Sequence, residues 1–400
     1  MISLKESIKI LNSLDFKPVG VQKLFLTDAL NRILAEDIIA SENDPKYPTA
    51  AMDGYAIRFE DQKLKRLKVI AKNPAGNIVS DEVKRGVCIK TFTGSLMPKG
   101  SDTLIPIEHV EVDNDTIVIK KEVEKGFSVR DIGENYKKGE VLIKKGTQIS
   151  FSEIGVLASL NQVFLKVYQK PKVAILSTGS EVLELGEIRK NSSQIRSSNN
   201  YTLESLVTLH GGEPIQLGAV KDDKKSIVIA LREALDSADM VITTGGVSVG
   251  DYDFVKDVIK DEIEAKVAFK GVVIKPGQHI MLAKKDNKAI LALPGFAYSS
   301  SVTFLIYALP ILYKLKGSLY RQKVVKATLR EDFKKRSKKS EFTACNIYLE
   351  NGEYFVDFKG KKNGTSAILT NMLGEVGLIM TSEDEKDKKA TQKVNVWLIK

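Results

Sequence analysis

Four hundred residues, 43% hydrophobic and 28% charged, make an ordinary globular chain long enough for two to four compact units. Sixty-one basic side chains against fifty-one acidic ones leave a net charge of +10, which favours anionic partners, but the basic residues are scattered without interleaved aromatics and no nucleic acid is expected. Cys88 and Cys345 offer neither a disulfide framework nor a CxxC pair, and His109, His210 and His279 lack metal-ligand spacing. No apolar run approaches the roughly 20 residues of a membrane span. The opening MISLKESIKIL is charged within six residues, unlike a signal peptide, so a cytoplasmic location is expected.

The spacing of Leu4, Ile8 and Leu11 predicts an amphipathic helix over 3–14, with Ser3 as its N-cap. A second helical piece is expected near 26–35, before an irregular stretch broken by Pro45, Pro48 and Gly54. From about 57 to 150, short runs such as LKVIAK, GVCIKTF, TLIPIEHVEV and DTIVIKKEV predict a small β-rich domain. Residues 151–162 read as helix. Over 172–317, strands KVAILS, EPIQLGAV, DMVITT, VAFKGVVI and KAILAL alternate with helical segments, which predicts a doubly wound parallel sheet. Residues 318–400 return to short β runs, separated by charged runs (331–341 and 383–389) expected to be solvated loops.

Ligands of such sheets bind beyond the carboxyl ends of the strands. Three loops fall there. Thr243 to Asp253, TTGGVSVGDYD, has Gly245, Gly246, Ser248 and Gly250 between a strand and a helix, a pattern that presents backbone N–H groups to a phosphate. Asp251 and Asp253 follow, suited to a divalent cation. Thr178-Gly179-Ser180-Glu181 and Lys275-Pro276-Gly277 end two further strands, bringing an acid and a cation. Pro294-Gly295 makes a fourth turn. Each also has a structural reading: Glu181 as a loop cap, Lys275 as a solvated lysine, Asp239 as a strand-start residue. In the N-terminal part, Asp53-Gly54 and Thr93-Gly94-Ser95 are turns with exposed polar groups.

These motifs, in this order, resemble the molybdopterin molybdenumtransferase family, whose eukaryotic counterpart is the E domain of gephyrin. The matching stretches are AMDGYAIR (51–58), TGSLMPKGSDTLIPIE (93–108), VRDIGENYKKGEVLIKKGT (129–147), KVAILSTGSEV (172–182), SADMVITTGGVSVGDYD (237–253), IKPGQ (274–278) and LPG (293–295). The resemblance implies a multidomain α/β protein: an N-terminal helix (1–26), a linking domain (27–45 and 137–171), a β-rich inserted domain (46–136), a doubly wound α/β domain (172–317) and a C-terminal β-barrel domain (318–400). It implies an enzyme that takes adenylylated molybdopterin, releases AMP with Mg²⁺ present, and places molybdate on the dithiolene. It also implies a homodimer served by a molybdopterin adenylyltransferase, with molybdoenzyme maturation factors as further partners. Carried over by position, Asp53, Glu181 and Lys275 are catalytic. Thr93, Gly94, Ser95, Thr178, Gly179, Gly245, Gly246, Ser248, Gly250, Pro294 and Gly295 bind substrate. Glu181, Asp239, Asp251 and Asp253 are metal ligands.

The chain departs from the family pattern at Ser180 and Asn135, where carboxylates are usual, and at Phe296-Ala297, where Asn-Pro is usual. Gln278 and the segment 196–199 also differ. Two readings therefore stand side by side: an active insertase, or a divergent paralogue that carries molybdopterin or scaffolds a partner. A tungstate-inserting variant is a third.

Overall fold

A computed structural model describes residues 1–246, 254–362 and 364–399. The chain divides into two compact units. One comprises Met1–Ala35, Gly146–Ile154 and Val163–Lys400; the other comprises Glu36–Lys145 and Gly155–Gln162.

The larger unit is built on a six-stranded sheet. Strands Lys172–Thr178, Met240–Thr244 and Lys288–Leu293 are buried almost throughout, as continuous β-branched and aliphatic runs dictate when both faces are covered. Helices Asn199–Leu209 and Ala297–Thr303 cover one face, with Leu203, Val207 and Val302 in its core. Helix Lys224–Ser237 covers the other through Ile227, Leu231 and Ala234. The order is Glu213–Val220, Lys172–Thr178, Met240–Thr244, Lys288–Leu293, Met281–Lys285, Lys266–Lys270. The first four run parallel; Met281–Lys285 runs against them and Lys266–Lys270, antiparallel to that strand, runs with them, so the sheet is mixed rather than wholly parallel. Strand Met281–Lys285 escaped the sequence reading. Its signal was the hairpin turn Asp286-Asn287, with Asp286 at φ 53° as two-residue hairpins require.

Helix Leu4–Ser13 starts as expected: the Ser3 hydroxyl accepts the Glu6 N–H at 3.2 Å, and Leu11 is buried. The helix expected over 26–35 is instead one 3₁₀ turn, Leu26–Ala29. Strand Val21–Phe25 pairs with Phe164–Tyr168, and Asn31 at φ 63° turns the chain so that Ile33 and Leu34 make bridges to Gln148 and Val167. Tertiary pairing thus outweighed a leucine spacing that local pattern alone read as helical.

The C-terminal strands close into a barrel. Ser340–Glu350 pairs with Glu353–Asp357 on one side and Val376–Thr381 on the other, and Val324–Leu329 with Lys393–Leu398 completes the ring. Cys345, Val356, Ile379 and Val396 fill it. The two charged runs are exposed loops, as expected, tied to each other: Asp332 pairs with Lys389 at 2.8 Å, and Phe333 is buried beneath them in a bridge to Lys388.

The smaller unit is a six-stranded sheet ordered Thr103–Pro106, Gly54–Ile57, Val87–Thr91, Arg66–Asn73, Thr116–Ile119, Val110–Asp113. Tyr55, Ile57, Leu67, Cys88 and Ile105 form its core. No described helix is long and apolar enough to cross a membrane.

Candidate active site

In the α/β sheet the chain leaves strand Lys172–Thr178 for its neighbour Glu213–Val220 on one side, then crosses to Met240–Thr244 on the other. That reversal opens a crevice beyond the strand ends. A cavity of about 440 Å³ lies there, lined by Thr178, Glu181, Ser197, Asp222, Gly245 and Phe296 among others.

Its floor is made of glycine turns. Gly245 (φ 88°) and Gly246 (φ 64°) both take left-handed conformations. A Cβ at Gly245 would sit 2.7 Å from the Thr178 carbonyl oxygen, and one at Gly246 would sit 2.5 Å from Val255 Cγ2. Only glycine lets these two loops meet. Gly295 closes in from the next strand, 3.7 Å from Gly245 Cα on the same measure, and its carbonyl accepts the Asn199 amide at 2.7 Å.

Two buried hydroxyls on this lining, Thr178 Oγ1 and Ser197 Oγ, have no hydrogen-bond partner among the described residues. Thr178 is 6% exposed and Ser197 5%. Leaving a buried hydroxyl unpaired costs about 1–3 kcal/mol. A ligand oxygen that reached them would complete that hydrogen bonding. Beside them the Glu181 side chain is exposed, and its carboxylate folds back over Gly179. The Asp222 carboxylate accepts the Ser180 N–H at 3.3 Å. Sequence reasoning missed Asp222 and Ser197 as site residues. Asp222 could have been found from its place just past the end of strand Glu213–Val220; Ser197 had no such signal.

Other expected residues are placed differently. Asp239 precedes strand Met240–Thr244, at the opposite end of the sheet from Glu181, and its carboxylate accepts the Lys172 N–H at 2.8 Å. It is a strand-start residue, not a ligand in the Glu181 cluster. Pro294 is buried and does not line the cavity. Gly179 supports the loop, donating its N–H to the Val220 carbonyl at 3.2 Å. Lys275 lies apart from Glu181, on a short strand beside Glu341 of the barrel, where it lines a small separate pocket with Arg336. Ser248, Gly250, Asp251 and Asp253 lie outside the described residues.

In the smaller unit, the exposed Asp53 carboxylate accepts both the Thr93 N–H (2.8 Å) and the Thr93 hydroxyl (2.7 Å). Those bonds, with Lys90 adding a smaller effect, hold the carboxyl below its usual range. Gly94 turns at φ 78°. Ser95 faces inward instead: it is 1% exposed and its hydroxyl donates to the Asn73 carbonyl at 2.9 Å, so it is a structural residue and not a substrate contact. The Asn135 amide donates to the Asp44 carboxylate at 2.7 Å, a bond that a carboxylate at 135 could not supply while ionised.

Family models match the chain in two consecutive stretches: the MoeA N-terminal region (domain I and II) over residues 2–161, and a probable molybdopterin binding domain over 174–314. The molybdopterin molybdenumtransferase of Haemophilus influenzae is 38% identical over 311 residues, covering 77% of this chain and 76% of its own. The chain belongs to the molybdopterin molybdenumtransferase family. The Nostoc relative of the same name is 33% identical over 368 residues, covering 88% of this chain and 84% of its own. The molybdopterin biosynthesis moeA protein of Pyrococcus horikoshii OT3 superposes with a TM-score of 0.84 at 30% identity, covering both chains in full. The multidomain α/β architecture is therefore that of the family, and its members are transferases of molybdenum cofactor biosynthesis.

Proposed function

We propose that this chain inserts molybdate into adenylylated molybdopterin and releases AMP. The observation that carries the reading is the strand-end cavity, where two unpartnered buried hydroxyls face a glycine turn beside an exposed carboxylate. A pyrophosphate seated there takes hydrogen bonds from Thr178 and Ser197, and the glycines let it approach the backbone closely. Glu181 orients the attacking water and takes up its proton; the adenylate then leaves and molybdate is retained on the dithiolene.

The family's reaction uses Mg²⁺. Among the described residues no three acidic, histidine or cysteine side chains converge to cage a metal. Mg²⁺ commonly takes one or two carboxylates and completes its shell with substrate phosphates and water, and Glu181 fits that smaller role. Bound with the substrate, the ion would neutralise charge on the departing phosphate. Asp53, pre-ionised by Thr93, is a second catalytic carboxylate in this reading, and Lys275 a contact for molybdate or phosphate. The protein works in the cytoplasm as a homodimer and receives its substrate from an adenylyltransferase.

The test supplies purified protein with adenylylated molybdopterin, Mg²⁺ and molybdate, and follows AMP release and cofactor formation together. Appearance of both supports the insertase. Tight substrate binding without AMP release assigns the chain to the carrier reading instead, and absence of binding removes the function.

A further inference from the structure

A second cavity, about 490 Å³, opens at the other end of the sheet. Lys170 stands just before strand Lys172–Thr178, and His210 caps helix Asn199–Leu209 just before strand Glu213–Val220. The length of the first strand puts it about 20 Å from the strand-end cavity. Three cations line it: Arg32, Lys170 and Lys316.

Lys316 is 6% exposed, and its ammonium donates to the His210 carbonyl at 2.7 Å while lying 4.4 Å from the Tyr313 ring centre. Gly211, at φ 77°, makes room: a Cβ there would sit 3.0 Å from Lys316 Nζ. Among the described residues no ion pair joins Lys316, Arg32 or Lys170 to a carboxylate. Asp28 also lines the cavity, exposed and without an ion pair to these cations among the described residues. The buried Nε2 of His210 has no partner either. Burial and the charges of Arg32 and Lys170 depress the Lys316 ammonium to about 8. A buried lysine crowded by two further cations and held in no ion pair is costly unless an anion joins them.

We infer that this cavity is a second ligand site, for a small molecule carrying a phosphate group. Its volume falls within the roughly 300–1,000 Å³ of small-molecule sites. The Arg32 guanidinium is partly engaged, donating to the Tyr168 carbonyl at 2.8 Å and facing the Gln22 amide; its remaining N–H groups and the point charges of the lysines supply the donors that phosphate recognition uses. The Tyr313 ring walls the organic part.

Pyridoxal 5′-phosphate is a probe of the right chemistry, since its aldehyde condenses with a lysine amine and borohydride fixes the imine. Peptide mass spectrometry then reads each lysine, with exposed Lys326 reporting non-specific reaction. The expected result is labelling of Lys316 or Lys170 at least about tenfold above that by pyridoxal, which lacks the phosphate; this factor corresponds to one good charge-assisted bond. Pyrophosphate should protect, and Arg32→Gln should reduce the labelling. Lys170→Gln, at an exposed position, repeats the test at Lys316 should the Arg32 variant fail to fold. Equal labelling by the two aldehydes, or no protection by pyrophosphate, overturns the site.

Discussion

Replacing Lys316 with methionine should change how stability depends on pH more than it changes stability itself. The ammonium falls from its ordinary 10.5 to about 8 because burial and two neighbouring cations oppose its charge. At 1.36 kcal/mol per tenfold change in proton affinity, carrying that charge costs the folded state about 3 kcal/mol at pH 7. The folded pKa is depressed, so between pH 8 and 10.5 the unfolded chain binds more protons and folding is favoured as pH rises. The contribution is fully present above pH 10.5 and is lost as pH falls through 8. Methionine keeps the apolar stem but gives up the bond to His210 and the contact with Tyr313, together about 2 kcal/mol. The Lys316→Met protein should therefore be about 1 kcal/mol more stable than its parent at pH 7 and less stable at pH 10.5. Urea unfolding of both proteins at matched pH values measures this, because every other titrating group cancels in the difference. Parallel curves from pH 7 to 10.5 would refute the crowding of Lys316.

Four further outcomes are expected. Glu181→Ala should lower AMP release by about a hundredfold or more, the usual contribution of a positioned acid–base group, with unchanged circular dichroism; turnover within about threefold of the parent would remove Glu181 from the chemistry. Gly245→Ala should cost about 1–3 kcal/mol in urea unfolding, since the residue would hold φ 88° with its Cβ against Thr178, and an unaltered midpoint would contradict that geometry. Asp239→Asn should leave turnover within about twofold, because its oxygen can still accept the Lys172 N–H; a tenfold loss would return Asp239 to the active site. Thr93→Val should raise the Asp53 carboxyl toward its ordinary range by removing one of two donors, which carbon-detected NMR titration reads directly, and an unmoved titration would show that the Thr93 hydroxyl does not govern it.

Much of the scaffold was legible along the chain because its signals are local. Strands Glu213–Val220 and Lys288–Leu293 stand where the apolar runs put them, and Ser3 caps its helix because the donor it satisfies is three residues away. The glycine pair 245–246 was readable as a turn because left-handed backbone leaves little choice of residue. The ordered motifs were enough to name the family. Long-range choices were not readable. Whether Leu26 to Leu34 coils or bridges depends on strands more than a hundred residues away. Asp239 and Glu181 both flank strands and carry the same charge, yet the order of the sheet puts them at opposite ends. Ser197 and Asp222 reach the cavity from separate loops, and a lysine at the end of a helix gives no local sign that Arg32 and Lys170 will be folded beside it. Periodicity and turn chemistry report what a residue does to its neighbours along the chain; burial, orphaned hydroxyls and crowded charge arise only when distant segments meet.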